Sequence, residues 1–291
     1  MRIFVTGATG FIGLPVVSEL LAAKHKVLGM ARSDEGAKSL TSMGADVHRG
    51  SLEDLDSLRK GASACDAVIH LGFVHDWSNF VTNCEIDRRA IEALGSVLVG
   101  SDRSLMVTAG AAGLAAPGQV TTEDHVVPLD FPFPRVSEQT ALSLNGVRVS
   151  VMRLPQVHNT VKQGLITPLI AMYREKGVCT YICNGHDRWP GAHVLDVARL
   201  YKLAIEKAEP NAKYHAIAEE GVRMRDIAEA IGRRLNLPVK SIAREEAQAH
   251  FGWLAMFAGL DMPASSVKTR QKLGWEPTGP GMIVDLNQLV V

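Results

Sequence analysis

Two periodicities organise the chain. Mostly apolar, β-branched-rich runs fall at 2–6 (RIFVT), 26–31 (KVLGMA), 45–50, 66–72 (DAVIHLG), 104–108 (SLMVT) and 148–153 (RVSVMR). Near-continuous apolar runs of this length are what strands buried on both faces show. Between them apolar residues recur at helical spacing, as at Val16, Val17, Leu20 and Leu21, and a long helix is expected over 83–99. Strand–helix alternation at about 30-residue intervals predicts an α/β fold with a doubly wound parallel sheet. The last part of the chain reads differently. A strand and turn are expected over 177–185, a strand over 214–217, an amphipathic helix over 222–235 and an extended piece over 238–242. The apolar and aromatic stretch 247–257 reads as core, or else as a wall of the substrate pocket. The expected organisation is a sheet domain over 1–160, to which 190–217 returns, and a smaller α/β part over 161–291.

The junction of the first strand and helix carries the clearest chemistry. Gly7-Ala8-Thr9-Gly10-Phe11-Ile12-Gly13 places a glycine at every third position between a strand and a helix. Gly7 allows the tight turn, Gly10 lets backbone approach a pyrophosphate, and Gly13 lets the helix pack close to the strand. The helix N-terminus then offers free N–H groups and a favourable dipole to phosphate. This is a dinucleotide-binding Rossmann-type pattern. The second strand ends at Arg32-Ser33. An acidic residue there would hold the adenine ribose hydroxyls of NAD, whereas an arginine fork suits a 2′-phosphate, so Arg32 with Ser33 points to NADP(H) over NAD.

With Thr6, Thr9, Phe11 and Ile12, the Gly-x-x-Gly-x-x-Gly spacing resembles the extended short-chain dehydrogenase/reductase superfamily, of the NAD(P)-dependent epimerase/dehydratase type. The resemblance runs over nearly the whole chain. It implies that Ser51, where an Asp often stands, and Leu52 bracket the adenine, and that Leu71, Gly72 and Phe73 at the end of the fourth strand let the phosphoribose pass. Pro155, Val157 and His158 resemble the segment beneath the nicotinamide in atypical members. Residues 187–198, with Trp189, His193 and Asp196, resemble a later motif in which a His-Val-x-Asp turn opens a helix that Asp196 would cap. Leu273-Gly274-Trp275-Glu276-Pro277 resembles the closing signature. Cofactor contacts are thus expected at Gly7, Thr9, Gly10, Phe11, Ile12, Gly13, Arg32, Ser33, Ser51, Leu52, Leu71, Gly72, Phe73 and Pro155.

The superfamily's Tyr-x-x-x-Lys pair is absent. Of the four tyrosines, Tyr173, Tyr181, Tyr201 and Tyr214, none has a lysine four residues on. The helix that should carry the pair reads 135–142, with Pro134 at the tyrosine position and Glu138 at the lysine position. Gly110 stands nearest the catalytic serine. An atypical epimerase/dehydratase-like subgroup from bacteria and fungi shares this loss. Thr108, at the end of the fifth strand, and His75, on the loop after the fourth, are the remaining candidates for proton transfer. That loop lies at the carboxyl end of a central strand, where open α/β sheets place their sites. Trp77, His158, Trp189 and His193 are candidate substrate contacts, while His70 reads as a satisfied core histidine.

The remaining composition excludes more than it adds. Formal net charge is zero and no basic block stands out, which speaks against nucleic acid. No apolar run approaches a membrane span. A first strand beginning at Arg2 speaks against a leader peptide. The four cysteines, Cys65, Cys84, Cys179 and Cys183, form no Cys-x-x-Cys pair and read as reduced thiols of a cytoplasmic protein rather than metal ligands. Three readings stay open: an NADP(H)-dependent oxidoreductase acting on a small carbonyl, alcohol or enone, as monomer or homodimer; a non-catalytic dinucleotide-binding sensor; and a non-redox isomerase or dehydratase using the cofactor transiently.

Overall fold

The computed structural model describes residues 1–111, 114–116, 118–127 and 133–290. Its strands are β1 (Arg2–Thr6), β2 (Lys26–Ala31), β3 (Asp46–Arg49), β4 (Ala67–His70), β5 (Ser104–Gly110), β6 (Arg148–Leu154), β7 (Gln156–His158), β8 (Cys179–Ile182), β9 (Arg188–His193), β10 (Lys213–His215), β11 (Glu219–Arg223) and β12 (Val239–Ile242). Its helices are α1 (Gly13–Ala22), α2 (Asp34–Ser42), α3 (Leu55–Ser63), α4 (Phe80–Ser96), α5 (Ser137–Leu142), α6 (Ile166–Lys176), α7 (Val194–Lys207), α8 (Met224–Leu235), α9 (Ala247–Phe251), α10 (Ala255–Ala258), α11 (Val267–Leu273) and α12 (Met282–Asn287). Among the described residues, no helix is long and apolar enough to cross a membrane.

The chain divides into two compact units. The first comprises 1–110, 126–153 and 197–214. A seven-stranded sheet runs through it in the order β10-β6-β5-β4-β1-β2-β3, with β1 parallel to both β2 and β4. This is the doubly wound Rossmann order, and the chain reverses direction across the sheet between β1 and β4, where such folds bind ligands. Phe4, Val68, Leu105, Val107 and Val151 from the strands meet Leu58, Ile91 and Leu94 from the helices in one fully buried core. A charged pair lies inside this unit. Arg153 on β6 and Glu138 on α5 are 0% and 4% exposed, and two parallel N–H···O bonds of 2.7 and 2.5 Å join them.

The second unit comprises 111–125, 154–196 and 215–291. It holds a three-stranded sheet, β11-β9-β7, with β9 antiparallel to β11 and parallel to β7, and a parallel pair, β8 and β12, against α8.

Local chemistry explains where elements depart from the pattern. Helix α4 starts at Phe80 rather than 83 because Asp76 turns the chain into it, accepting from the Ser78 N–H (3.0 Å) and the Asn79 amide (2.9 Å). Val222 and Arg223 pair in β11, so the amphipathic helix starts at Met224. The stretch 247–257 breaks at Gly252, whose φ of +53° ends α9, yet Phe251, Leu254 and Phe257 are buried as core.

Candidate dinucleotide and catalytic site

At the switch point, β1 ends at Thr6 and the chain turns at Gly7, which has a φ of +66°. A Cβ on Gly7 would lie 2.7 Å from the Gly72 nitrogen, and one on Gly13 only 2.0 Å from the Gly7 carbonyl oxygen. No side chain fits at either position, so the loop lies flat against the end of β4. Gly10 differs. It is exposed, and a Cβ there would meet only the Gly7 oxygen, at 3.1 Å. The open face beside Thr9 and Gly10, just before a helix whose first N–H groups lack intrahelical acceptors, is the shape a pyrophosphate requires.

A buried chain of hydrogen bonds braces this loop. The Gly72 N–H donates to Thr6 Oγ1 (3.1 Å), and the Thr6 hydroxyl pairs with His70 Nδ1 (2.8 Å). His70 Nε2 lies 3.1 Å from Asp87 Oδ1, and the Ser137 hydroxyl donates to Asp87 Oδ2 (2.5 Å). Arg135 Nε donates in turn to Ser137 (3.0 Å). Every member has a partner when Thr6 donates to Nδ1 and Nε2–H donates to Asp87. Burial pushes the Asp87 carboxyl up, but the hydrogen bond and charge of His70, the charge of Arg135 and the Ser137 hydroxyl outweigh it and hold the group below its usual range.

The residues expected at the adenosine end lie at the ends of β2 and β3. Ser33 caps α2, its hydroxyl accepting from the Gly36 N–H (3.1 Å). The Arg32 side chain is exposed and makes no hydrogen bond or ion pair among the described residues. Arg49, at the end of β3, donates to the Ser33 carbonyl (2.5 Å) and to Asp34 Oδ1 (2.7 Å). Asp34, two residues after Arg32, is therefore paired. The sequence pattern did not single out Arg49; its signal is an arginine at a strand end adjoining that of Arg32. Leu52 is buried, and its methyl carbon lies 2.9 Å from where a Gly72 Cβ would be, so Gly72 must be small. Ser51, Leu71 and Phe73 are half-buried, as are Phe11 and Ile12.

At the end of β5, Thr108 proves to be committed. Its hydroxyl donates to the His70 carbonyl (2.7 Å) and lies 2.7 Å from the Tyr201 hydroxyl. A carbonyl only accepts, so Tyr201 is the donor in the second bond and Thr108 has no proton to give. Burial drives the Tyr201 phenol far above its usual range, which the Thr108 bond and Arg135 only partly offset. Beyond β4, aromatic rings gather. Trp77 stacks on Phe80 at 4.8 Å, Phe80 meets Phe73 at 6.0 Å and Phe133 at 5.2 Å, and exposed His75 stands edge-on to Phe73 at 5.2 Å. The Arg135 guanidinium covers the Phe73 ring at 4.1 Å and donates to the Thr108 carbonyl (3.2 Å). Asp76, in the same loop, is a turn cap, and the hydrogen bonds from Ser78 and Asn79 lower its carboxyl.

The other candidates lie in the second unit. Pro155 is half-buried before β7. His158 is fully buried, with Nδ1 2.7 Å from Asp285 Oδ2 and Nε2 3.6 Å from Glu219 Oε2. Trp189 is fully buried as well, so neither side chain presents a surface. His193 is half-buried, with its ring 6.0 Å from that of His158. The Asp196 carboxylate, in the first turn of α7, accepts from the Thr278 (3.0 Å) and Gly279 (2.8 Å) N–H groups, and its carbonyl accepts from the Trp275 indole (3.0 Å). It thus anchors the closing signature.

The glycine cradle at the switch point of this sheet defines a Rossmann-type dinucleotide-binding protein. Residues 3–128 match the model of the NAD dependent epimerase/dehydratase family. The chain is 47% identical to an uncharacterized protein of Schizosaccharomyces pombe over 98% of both chains, and 42% identical to one of Saccharomyces cerevisiae over 98% of both. It belongs to the NAD-dependent epimerase/dehydratase family. A more distant relative, 25% identical over 91% of this chain and 84% of its own, is the 4-hydroxy-2-methyl-3-oxo-4-farnesyl-3,4-dihydroquinoline-1-oxide ketoreductase of Stigmatella aurantiaca. The fold is shared with the dTDP-glucose 4,6-dehydratase DesIV of Streptomyces venezuelae, solved with NAD and TYD bound. The TM-score is 0.75, at 17% identity over 99% of this chain and 95% of that one.

Proposed function

We propose that the protein is an NADP(H)-dependent oxidoreductase that interconverts a small carbonyl compound and its alcohol. The observation that carries this reading is the open cradle at Gly10 beyond β1, with Arg32 at the end of neighbouring β2 making no ion pair among the described residues while Asp34 is held by Arg49. The ketoreductase of S. aurantiaca among the relatives supports the carbonyl chemistry. The loop from Gly7 to Gly13, with Thr9, Phe11 and Ile12, would hold the pyrophosphate. Arg32 and Ser33 would take the 2′-phosphate, Ser51 and Leu52 the adenine, and Leu71, Gly72 and Phe73 the ribose. When bound, the cofactor supplies a hydride. His75 is the proposed proton donor: it is exposed, and an imidazole exchanges protons near neutral pH. Trp77 is a proposed substrate contact, while the buried His158 and Trp189 are assigned to the interior. Calorimetric titration with NADPH and NADH, followed by nicotinamide absorbance over a panel of aldehydes, ketones and enones, tests the reading. Tighter NADPH binding and turnover of at least one compound are expected.

A second reading, a non-catalytic NADP(H) sensor, draws support from the committed Thr108 hydroxyl and from Pro134 and Glu138 at the two catalytic positions. Tight NADPH binding with no turnover across the panel would favour it.

A further inference from the structure

We infer that Arg135 is the catalytic residue that binds and polarises the substrate oxygen, in place of the missing tyrosine. The inference rests on the oxidoreductase reading above. A guanidinium carries five N–H donors. Arg135 uses one on Ser137 Oγ (3.0 Å) and one on the Thr108 carbonyl (3.2 Å), and the remaining three meet no acceptor among the described residues. It forms no ion pair there either. The Arg135 charge helps to hold the Asp87 carboxyl down, but no ion pair joins the two among the described residues, and both Asp87 oxygens are committed, to His70 and to Ser137. A half-buried cation is thus held in one orientation, by two bonds along one edge and the Phe73 ring 4.1 Å below its plane, with its remaining donors unspent. Such a fixed, pre-aimed donor stabilises charge that develops during a reaction at little reorganisation cost.

Its position fits the task. Arg135 is bonded to the last residues of β5, at the end of the sheet where family members react, and it directly follows Pro134, which occupies the tyrosine position. His75 stands against the edge of the same Phe73 ring, so cation and imidazole share one platform. In the reduction direction, a bound reduced nicotinamide would supply the hydride and its two electrons to the carbonyl carbon and would itself be oxidised. The C=O π pair moves onto oxygen, where the negative charge meets the free N–H groups of Arg135. A proton from His75, replaced from solvent, completes the alcohol. Arginine does not itself give up a proton at any working pH, so its part is electrostatic.

The test uses the full-length protein and a neutral ketone or aldehyde that turns over in the panel. Arg135→Gln should lower kcat by about 10²–10³-fold, the usual loss for one such donor, and kcat/KM by the same factor. Affinity for NADPH, read by nicotinamide fluorescence, should not change. In Arg135→Ala, added guanidinium chloride should restore turnover and urea should not. This arm also separates a missing charge from a misfolded site, which no free cation repairs. As a readout besides activity, calorimetry with the carboxylic acid analogue of that substrate should show at least tenfold weaker binding to Arg135→Gln. A kcat for Arg135→Gln within about fivefold of the unmodified protein overturns the proposal. So does an effect confined to KM for carboxylate-bearing substrates, which would make Arg135 a substrate anchor only. If the unmodified protein turns over nothing, the oxidoreductase reading fails first, before any substitution is made, and this one falls with it.

Discussion

Replacing either member of the Glu138–Arg153 pair should destabilise the first unit severely, while replacing both should not. The side chains are 4% and 0% exposed and share two short, parallel charge-assisted bonds. Arg153→Met leaves the Glu138 carboxylate closed off from water without its counter-charge, and Glu138→Leu takes both of these bonds from the buried guanidinium. Breaking one side of such a pair costs about 3–5 kcal/mol, whereas an apolar pair of similar volume is often neutral. Against a total stability of about 5–15 kcal/mol, either single change removes a large share. At about 2–4 °C per kcal/mol for a chain of this size, the melting temperature should fall by roughly 6–20 °C. The assay is urea unfolding followed by circular dichroism for the four corners of a double-mutant cycle, compared at constant m-value. The expected coupling is at least about 3 kcal/mol. A single variant that loses less than about 1 kcal/mol, or a double variant as unstable as the sum of the singles, would refute this account of the pair.

Arg32→Ala should erase the preference for NADPH at little cost to NADH, a loss of about 1.5–3 kcal/mol for a charge-assisted contact; equal affinities of the unmodified protein for both cofactors in calorimetry would remove its basis. Gly10→Val should leave the fold intact, since only the Gly7 oxygen lies within reach of a Cβ there, but abolish cofactor binding, and a folded variant that titrates normally would relocate the phosphate site. The Asp87 carboxyl is held below its unfolded value, so its contribution to stability is present above about pH 4 and lost as pH falls through the folded value. Asp87→Asn should therefore be less stable than the unmodified protein at pH 7, with the gap in urea midpoint narrowing at pH 3; a constant gap would contradict this. Burial pushes the Cys65, Cys84 and Cys179 thiols up to about 11, whereas Cys183 is exposed, so a thiol reagent at neutral pH should label Cys183 first, as mass spectrometry of digests would report.

Much of the sheet was legible because its cause is local. The strands 2–6 and 26–31 need only a run of apolar, β-branched residues, and they fall where the pattern puts them. The phosphate loop was legible for the same reason, since Gly7 and Gly13 are demanded by backbone lying within a few residues or at the next strand end. What escaped depends on partners far along the chain. The donor role of Thr108 disappears because its hydroxyl donates to the His70 carbonyl, 38 residues away, and no spacing rule reveals that contact. Arg49 reaches Asp34 across 15 residues and Arg135 reaches Thr108 across 27, in both cases from neighbouring elements of the folded sheet. Trp189 has the composition of a pocket wall but lies wholly inside, because an aromatic residue reads the same in a core and in a site. Helix α12, six residues long, is shorter than a periodicity can resolve.

The charge at position 138 also sets which ancestors and descendants this chain can reach. Restoring the lysine of the Tyr-x-x-x-Lys pattern by Glu138→Lys would press an ammonium against the Arg153 guanidinium where no water screens them. Neutralising Arg153 first would instead strand Glu138. Each single step passes through an unstable protein, and only a concerted double change avoids it. The reversed pair therefore works as a ratchet. A lineage that acquires it keeps it, selection for turnover must act on groups elsewhere in the site, and an engineer wishing to graft the tyrosine–lysine machinery back would have to rebuild position 153 together with 134 and 138.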